Sequence, residues 1–278
     1  MCDSPDVLIE RSEVKRIKKI IGSLLLANDL AVGKTMDPAL LAGFLTAIRP
    51  LRTNHELIRV GGESDGGYLV PDDLAGVEYC FSPGVSNTAD FEDDLTKRGI
   101  RCFLADYSVD GPPISNELFD FEKKFLGPED TDVFTTLQSW VDRKAAGKMD
   151  LILQMDIEGG EYEVLFDTSS LTLRRFRILV IEFHDLHKLC QKDFFRLASL
   201  GFRKLLKDFD IVHVHPNNCS PPRKYKTFEL PPVMEFTFHR KDRIAWKSPA
   251  ATFPHELDRK NVPSNPDYGL PSCWYSGD

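Results

Sequence analysis

The sequence lacks the features of membrane spans, disulfide scaffolds and nucleic-acid-binding surfaces. No apolar run approaches the roughly 20 residues that cross a bilayer, and the first residues lack the basic-then-apolar layout of a secretory signal. The six cysteines are scattered without a CxxC pair, which disfavours a disulfide framework and a zinc site. A formal net charge of −8 disfavours nucleic acid as the main partner, because phosphate binding needs a basic surface. We therefore expect a cytoplasmic protein without a membrane span.

Composition and periodicity predict one large α/β domain with an extension at each end. With 278 residues, 42% of them hydrophobic and 28% charged, the chain can bury a substantial core. Apolar residues at helical spacing over residues 8–48, with Asp37-Pro38 opening the segment Ala39–Ile48, predict helices. We divide the chain into an N-terminal helical extension (1–53), a central domain (54–247) and a C-terminal tail (248–278).

The most informative segment, residues 77–106, has the pattern of a β-α-β unit. An apolar run, Val77–Ser82, ends in the Pro83-Gly84 turn, and a second run, Arg101–Ala105, ends on Asp106. A glycine turn lets a ligand approach the backbone and the next helix N-terminus, and a carboxylate after the second strand can accept hydrogen bonds from a ribose diol. Gly84 and Asp106 lie 22 positions apart (106 minus 84), close to the spacing of about 20 in nucleotide-binding sheets. The segment predicts a nucleoside-bearing cofactor.

Strands alternating with helices predict a Rossmann-like, doubly wound α/β fold with a mostly parallel seven-stranded sheet. The last two strands favour an antiparallel hairpin at one edge, and the glycine pairs in residues 56–71 favour another hairpin. A Pro- and Gly-rich loop is predicted after Asp106, and a helix from Lys192 is predicted to close at Gly201. The further predicted strands are Val133–Thr135, Met149–Met155, Arg177–Ile181, Phe202–Leu206, Ile211–His215 and Val233–His239.

Polar side chains follow several of these apolar runs, at the strand ends where such sheets bind ligands. Asp156 ends a nearly unbroken apolar run, and a partly solvated carboxylate there needs a cation, a helix N-terminus or a ligand as partner. Glu182 and His184 share one face of a strand end, and His215 ends the next candidate strand. Carboxylates and imidazoles that converge on one rim can bind Mn²⁺, Fe²⁺ or Zn²⁺, or they can act as general bases. Hydrogen-bonded loop anchors are the alternative.

Four segments within residues 54–242 carry a resemblance to a known family. The most specific are Met155-Asp156-Ile157-Glu158-Gly159 with Glu161, after a buried strand, and Val180-Ile181-Glu182-Phe183-His184 downstream. The other two are Arg59–Pro71, with its Asp65-Gly66-Gly67-Tyr68 turn, and Phe81–Ser86 with Ala105-Asp106. In these segments the chain resembles class I S-adenosylmethionine-dependent methyltransferases, and within them the FkbM type. One departure is the glycine loop after the first strand, where only Gly84 remains of G-x-G-x-G.

The resemblance implies S-adenosylmethionine as methyl donor and assigns residues to it. It implies that Asp106 binds the ribose hydroxyls, that Gly84 lies beneath the cofactor and that Asp156 lies beside the transferred methyl group. The residues that it implies near the methionine end are Asp65, Gly66, Gly67 and Tyr68.

The expected reaction is in-line methyl transfer to a hydroxyl oxygen of a sugar or secondary metabolite, a small-molecule or glycan acceptor. Asp156, His184 and His215 are the candidate catalytic residues, and His184 or His215 is the candidate base. Alternatively, Asp156, Glu182 and His184 hold a divalent metal (Mn, Mg or Fe) that lowers the pKa of the hydroxyl. Two other functions stay open: an NAD(P)-binding Rossmann enzyme, whose G-x-G-x-x-G motif is absent, and a catalytically silent binding domain. The N-terminal helices offer a surface for oligomer formation.

Overall fold

The structure is a computed structural model that describes residue 20 and residues 33–276. Helix α1 covers Pro38–Ala47 and begins where the Asp37-Pro38 pair predicts. The Asp37 carboxylate accepts hydrogen bonds from the backbone N–H groups of Ala39 at 2.8 Å and Leu40 at 3.3 Å, and so caps the helix. The rest of the predicted helical stretch at residues 8–32 lies outside the described residues, apart from residue 20.

Short strands and helices alternate along the described chain. The helices after α1 are α2 (Asp90–Thr96), α3 (Leu137–Lys144), α4 (Glu161–Asp167), α5 (Ser170–Leu173) and α6 (Lys192–Leu205). The strands are β1 (Leu51–Thr53), β2 (Leu57–Gly61), β3 (Gly67–Pro71), β4 (Tyr79–Pro83), β5 (Arg101–Ala105), β6 (Phe119–Glu122), β7 (Phe125–Leu126), β8 (Phe134–Thr135), β9 (Leu151–Met155), β10 (Phe176–Phe183), β11 (Phe209–Pro216), β12 (Arg223–Tyr225), β13 (Phe228–Leu230), β14 (Met234–Arg240) and β15 (Lys247–Pro249).

Seven strands form the central sheet, in the order β11, β14, β10, β9, β4, β5, β6. The pairs β4–β5, β5–β6, β4–β9 and β9–β10 are parallel, whereas β14 runs antiparallel to both β10 and β11. The predicted Rossmann-like architecture, with a mostly parallel seven-stranded sheet and an antiparallel pair at one edge, is confirmed. In such a sheet the carboxyl ends of the parallel strands meet at one rim, where ligands bind.

Both faces of the sheet are covered by apolar layers. Successive residues of a strand point to opposite faces, so Cys80 and Ile152 pack with Phe91 of α2 and with the β2–β3 hairpin. On the other face, Phe81 and Leu153 pack with residues of α1, α3, α4 and α6. Burial on both faces explains why the central strands are nearly continuous apolar runs.

The predicted hairpin over residues 56–71 is confirmed as β2 and β3, with Gly61 opposite Gly67. The buried hydroxyl of Thr237 in β14 donates a hydrogen bond of 2.6 Å to the carbonyl of Leu69. This contact holds the hairpin against the sheet, beside the rim where the parallel strands end.

Three local predictions need correction. The strand predicted at Phe202–Leu206 is wrong, because α6 continues through Gly201 to Leu205. Gly201 lies inside this helix and faces α4, and a Cβ built there would make an ordinary contact of 3.7 Å with Leu165. The strand predicted at Val133–Thr135 exists as β8, but it pairs with β7 outside the central sheet. The seventh strand of the sheet is instead β6, within the segment that was predicted as a loop.

The C-terminal tail contacts the rest of the domain. Strand β15 pairs antiparallel with β1, and Asn261 and Trp274 of the tail are buried. Within the part of the chain that the structure describes, no helix has both the length and the apolar character needed to cross a membrane.

Candidate functional site

A cavity of about 660 Å³ opens at the carboxyl ends of β4, β5 and β9. Its volume lies within the range of roughly 300–1,000 Å³ that small-molecule sites occupy. Within its lining, all of which is described, seven residues are acidic and none is lysine or arginine. The acidic residues are Asp65, Asp90, Glu92, Asp106, Asp156, Glu158 and Glu163.

Gly84 forms the turn between β4 and the cavity, and its backbone requires glycine. Its φ is +87°, in the left-handed region that favours glycine. A Cβ at this position would lie 1.6 Å from the carbonyl oxygen of Asp156. The turn is also tied to the next strand, because Gly84 N–H donates to the carbonyl of Ala105 at 2.9 Å. Gly84 therefore brings the loops after β4, β5 and β9 together around the cavity.

Asp106 follows β5 and presents a buried carboxylate to the cavity wall. Its Oδ2 accepts a hydrogen bond from the Ser86 N–H at 2.9 Å. Its Oδ1 accepts two from Ser108, from the N–H at 2.7 Å and from the hydroxyl at 2.6 Å. A carboxylate offers about four acceptor positions, so a ligand hydroxyl can use the free position of Oδ2 or replace the Ser108 hydroxyl.

The predicted residues of the β2–β3 turn divide between the cavity and the protein interior. Asp65, Gly66 and Tyr68 line the cavity. Gly67 does not, and a Cβ there would lie 2.1 Å from the carbonyl oxygen of Gly62. Gly67 thus allows the hairpin backbone to close, rather than facing a ligand.

His184 follows β10 and lies among four carboxylates. Its Nδ1 is 3.0 Å from Glu161 Oε1. Its Nε2 is 3.4 Å from Glu158 Oε2, 3.8 Å from Glu182 Oε1 and 3.9 Å from Asp156 Oδ1. The hydrogen bond to Glu161 favours the tautomer with the proton on Nδ1, which leaves Nε2 free to act as a base or ligand. Of this group, Asp156 and Glu158 line the cavity, and His184 lies behind them.

Burial and mutual repulsion set the protonation of this cluster. Burial raises the pKa of Asp156 to about 7, against the opposing effect of His184. Burial, with the charge of Asp156, also raises the pKa of Glu182 well above its usual range. Burial alone would lower the pKa of His184, but the hydrogen bond to Glu161 and the nearby carboxylates raise it above its usual value. The cluster can therefore exchange a proton or bind a cation near neutral pH.

His215 lies elsewhere, away from the cavity lining. Its Nδ1 is 3.7 Å from Oδ2 of Asp258 in the C-terminal tail, and His213 Nε2 makes a 2.8 Å hydrogen bond to the other oxygen of the same carboxylate. Although burial opposes it, these two histidines lower the pKa of Asp258 far below its usual range. The structure thus brings together Asp156, Glu182 and His184 but places His215 in a different cluster.

Several polar residues around the strand ends were not predicted as site residues. Glu161 accepts hydrogen bonds from His184 and from the Gly159 N–H at 3.0 Å. Asn217 donates to Glu182 at 3.1 Å, and Asn261 of the tail donates to Glu235 at 2.5 Å. Glu161 could have been found, because it stands five positions after Asp156 at the start of a predicted helix (161 minus 156). Asn261 gave no such signal, because the tail has no periodic pattern.

Comparison with protein families gives one match within the domain. The model of the methyltransferase FkbM domain matches residues 106–204, from the cavity carboxylate of Asp106 to the last turn of α6. This segment of the chain is similar to FkbM-type methyltransferases. The matched segment includes Asp156, Glu182 and His184, whereas Gly84 and Tyr68 precede it. No curated protein matches the sequence significantly.

Proposed function

We propose that the domain is an S-adenosylmethionine-dependent O-methyltransferase that acts on a hydroxyl group of a sugar or secondary metabolite. The observation that supports it most is the buried carboxylate of Asp106, which faces the cavity next to the Gly84 turn in a chain with a segment similar to FkbM-type methyltransferases. Asp106 accepts hydrogen bonds from the ribose hydroxyls of the donor. From there the donor crosses Gly84 toward β9, where Asp156, Asp65 and Tyr68 line the cavity.

The charge of the cavity fits a cationic donor. The seven acidic residues and the lack of a lysine or arginine in the lining create a negative potential, which attracts the sulfonium group. The same potential disfavours acceptors that carry phosphate or several carboxylates. The acceptor in this proposal is therefore a neutral or cationic small molecule or glycan.

Methyl transfer needs the acceptor hydroxyl to be aligned with the methyl group, and it needs a base. The donor supplies a methyl group that is already activated on sulfur, so alignment accounts for much of the acceleration. As the hydroxyl oxygen forms its bond to the methyl carbon and the carbon–sulfur bond breaks, the hydroxyl proton must leave. Asp156 lines the cavity, and a pKa of about 7 suits a general base at neutral pH. His184, with Nε2 3.9 Å from Asp156 Oδ1, stabilises the Asp156 carboxylate when protonated. His215 takes no part, because it does not line the cavity.

The same cluster fits a divalent metal. One oxygen each of Asp156, Glu161 and Glu182 is buried without a hydrogen-bond partner, and His184 Nε2 faces two of these carboxylates. Carboxylate oxygens and an imidazole are the ligands that Mn²⁺ and Fe²⁺ take. Asp156, Glu161 and His184 would hold the ion, because each offers a ligand atom within 4.8 Å of the others. Glu182, predicted as a ligand, lies beside this group at 3.8 Å from His184 Nε2. A bound ion would lower the pKa of a nearby hydroxyl.

Ligand binding tests the donor. We expect S-adenosylhomocysteine at about 100 times its Kd to add about 2.7 kcal/mol to the free energy of unfolding and to raise the melting temperature by several degrees. NADH at the same concentration should leave the melting temperature unchanged. Thermal unfolding with each ligand measures this. A shift with NADH alone would support the dinucleotide alternative, and no shift with either ligand would support a catalytically silent domain.

Calorimetric titration with Mn²⁺ tests the metal. We expect His184→Ala to weaken Mn²⁺ binding at least tenfold, because it removes a direct ligand. The matched control is His55→Ala in the second His/carboxylate cluster of the described chain, formed with Asp73 and His239. There Asp73 is already paired with Arg177 and Arg243, so this variant should keep its affinity for Mn²⁺. Full methyl transfer in excess EDTA would contradict the metal hypothesis. Equal affinity for Mn²⁺ in the unaltered protein, His184→Ala and His55→Ala would also contradict it.

A further inference from the structure

Four buried side chains form a hydrogen-bond chain at the floor of the cavity. They are Glu92 in the first turn of α2, Ser82 on β4, Gln154 on β9 and Tyr68 on β3, and none is more than 6% exposed. Glu92, Gln154 and Tyr68 also line the cavity. Neither the sequence patterns nor the proposed chemistry assigns a role to Glu92, Ser82 or Gln154. We call these four residues the Glu92 chain.

The hydrogen atoms of the Glu92 chain can be counted from its geometry. The Ser82 hydroxyl lies between Oε1 of Glu92 and Oε1 of Gln154, the latter at 2.6 Å, and Gln154 Nε2 lies 3.2 Å from the hydroxyl oxygen of Tyr68. A serine hydroxyl has one hydrogen and can donate to only one of two oxygens. With Gln154 Oε1 toward Ser82 and Nε2 toward Tyr68, both contacts of Ser82 are hydrogen bonds only if Glu92 carries a proton and donates it to Ser82.

That proton fixes the direction of every later hydrogen bond. Ser82 then donates to Gln154 Oε1, and Gln154 donates from Nε2 to the oxygen of Tyr68. Because the Tyr68 oxygen accepts from within the protein, its own O–H is left to donate into the cavity.

The surroundings of Glu92 favour the neutral acid. Its side chain is buried, and Asp90, the charged neighbour that acts on it, is also negative. An ionised carboxylate in such a place is costly unless a cation pairs with it. In agreement, burial raises the pKa of Glu92 to about 7.

The cavity also needs a hydrogen-bond donor of this kind. If the donor molecule binds its ribose to Asp106 beside β5 and crosses Gly84, its amino-acid end lies toward β9, the side on which Tyr68 contacts Gln154. The carboxylate of that amino-acid end meets no lysine or arginine in the lining. Neutral donors must hold it, and an O–H group whose direction is preset loses little freedom on binding.

We propose that Glu92 is a neutral acid which, through Ser82 and Gln154, directs the Tyr68 hydroxyl as donor to the carboxylate of the methionine part of S-adenosylmethionine. The identity of this ligand rests on the function proposed above. The protonation state of Glu92 is independent of that function. Of the four residues in the Glu92 chain, only Tyr68 touches the ligand. The other three, Glu92, Ser82 and Gln154, are positioning residues.

Infrared spectroscopy tests the proton directly. We expect the spectrum of the unaltered protein at neutral pH, minus that of Glu92→Gln, to contain the C=O stretching band of a protonated carboxyl group. The amide of Glu92→Gln can donate to Ser82 in the same way, so this variant should stay folded. A difference spectrum with only carboxylate bands would overturn the proposal. Ser82 would then donate to an ionised Glu92, and the Gln154 amide would be turned so that its NH₂ group donates to Ser82 and its oxygen accepts from Tyr68.

Calorimetry with two ligands tests the function of the chain. The probes are S-adenosylhomocysteine and 5′-methylthioadenosine, which lacks the amino acid. We expect Tyr68→Phe to weaken S-adenosylhomocysteine at least tenfold, the loss of a hydrogen bond to a charged group, and to leave 5′-methylthioadenosine unchanged. Glu92→Leu should also weaken the binding of S-adenosylhomocysteine. Glu92→Gln should bind it as tightly as the unaltered protein does. The control is Tyr79→Phe, at the end of β4 away from the cavity, and it should leave the affinity for both ligands unchanged.

Two results separate this inference from the proposed function. If the unaltered protein binds both ligands and Tyr68→Phe weakens them equally, Tyr68 has only a structural role and the inference is wrong while the function stands. If the unaltered protein binds neither ligand, the proposed function fails, and the ligand assigned to Tyr68 fails with it.

Discussion

Replacing Gly84 by alanine is expected to destabilise the protein by about 2–5 kcal/mol. Two costs add at this position. A non-glycine residue in the left-handed region costs roughly 1–2 kcal/mol, and Gly84 has a φ of +87°. The new Cβ would also lie 1.6 Å from the carbonyl oxygen of Asp156, so the loops must separate, at a typical overpacking cost of about 1–3 kcal/mol. Urea unfolding followed by circular dichroism measures the difference.

Two other glycines separate these costs. Gly99 has a φ of +77° with open space around its Cβ position, so Gly99→Ala should show the backbone cost alone. Gly43 lies in α1 with open space and no positive φ, so Gly43→Ala should stabilise the protein by about 0.5–1 kcal/mol. If Gly84→Ala costs no more than Gly99→Ala, the close approach of Gly84 to Asp156 does not constrain the fold.

The elements that the sequence predicts well are those specified by local pattern. The continuous apolar runs of β4, β5 and β9 could be read as buried strands because both of their faces are covered. The acids that end these runs, Asp106 and Asp156, necessarily meet at one rim, because parallel strands end at the same edge of a sheet.

Strand β6 could not be predicted in the same way. Its four residues, Phe119–Glu122, alternate apolar and acidic residues at the edge of the sheet and are only half-buried. Such a short edge strand has no long apolar run to distinguish it from a loop. Its place is set by pairing with β5, a contact that local pattern does not specify.

The position of His215 shows the limit of reasoning from strand ends. His184 follows one predicted strand and His215 ends another, yet β14 lies between β10 and β11. Two strand spacings of about 4.8 Å separate their backbones by roughly 10 Å. The tail then supplies Asp258 to His215, and this partner lies 43 positions further along the chain (258 minus 215). The order of strands and the path of the tail depend on tertiary packing, so the sequence could not assign His215 to a cluster.

Replacing Asp106 by alanine is expected to weaken S-adenosylhomocysteine binding by about 100-fold. A hydrogen bond to a charged group contributes about 1.5–3 kcal/mol, and a factor of 100 corresponds to about 2.7 kcal/mol. Asp106 is buried at the cavity wall and has an acceptor position left on Oδ2 after the bond from Ser86. Isothermal titration calorimetry measures the loss. Ser108→Ala is the matched control, because it removes only the hydroxyl that competes for Oδ1, and should change the affinity less than threefold.

Asp106→Ala also frees the Ser86 and Ser108 N–H groups, so a loss of affinity could come from a displaced loop instead of a lost ligand contact. The 2′,3′-dideoxy analogue of S-adenosylhomocysteine distinguishes these causes. If Asp106 binds the ribose, the analogue binds the unaltered protein weakly, and Asp106→Ala weakens it little further, because the same hydrogen bonds are already missing. If Asp106→Ala weakens both ligands equally, the carboxylate only holds the loops, and the ribose lies elsewhere in the cavity.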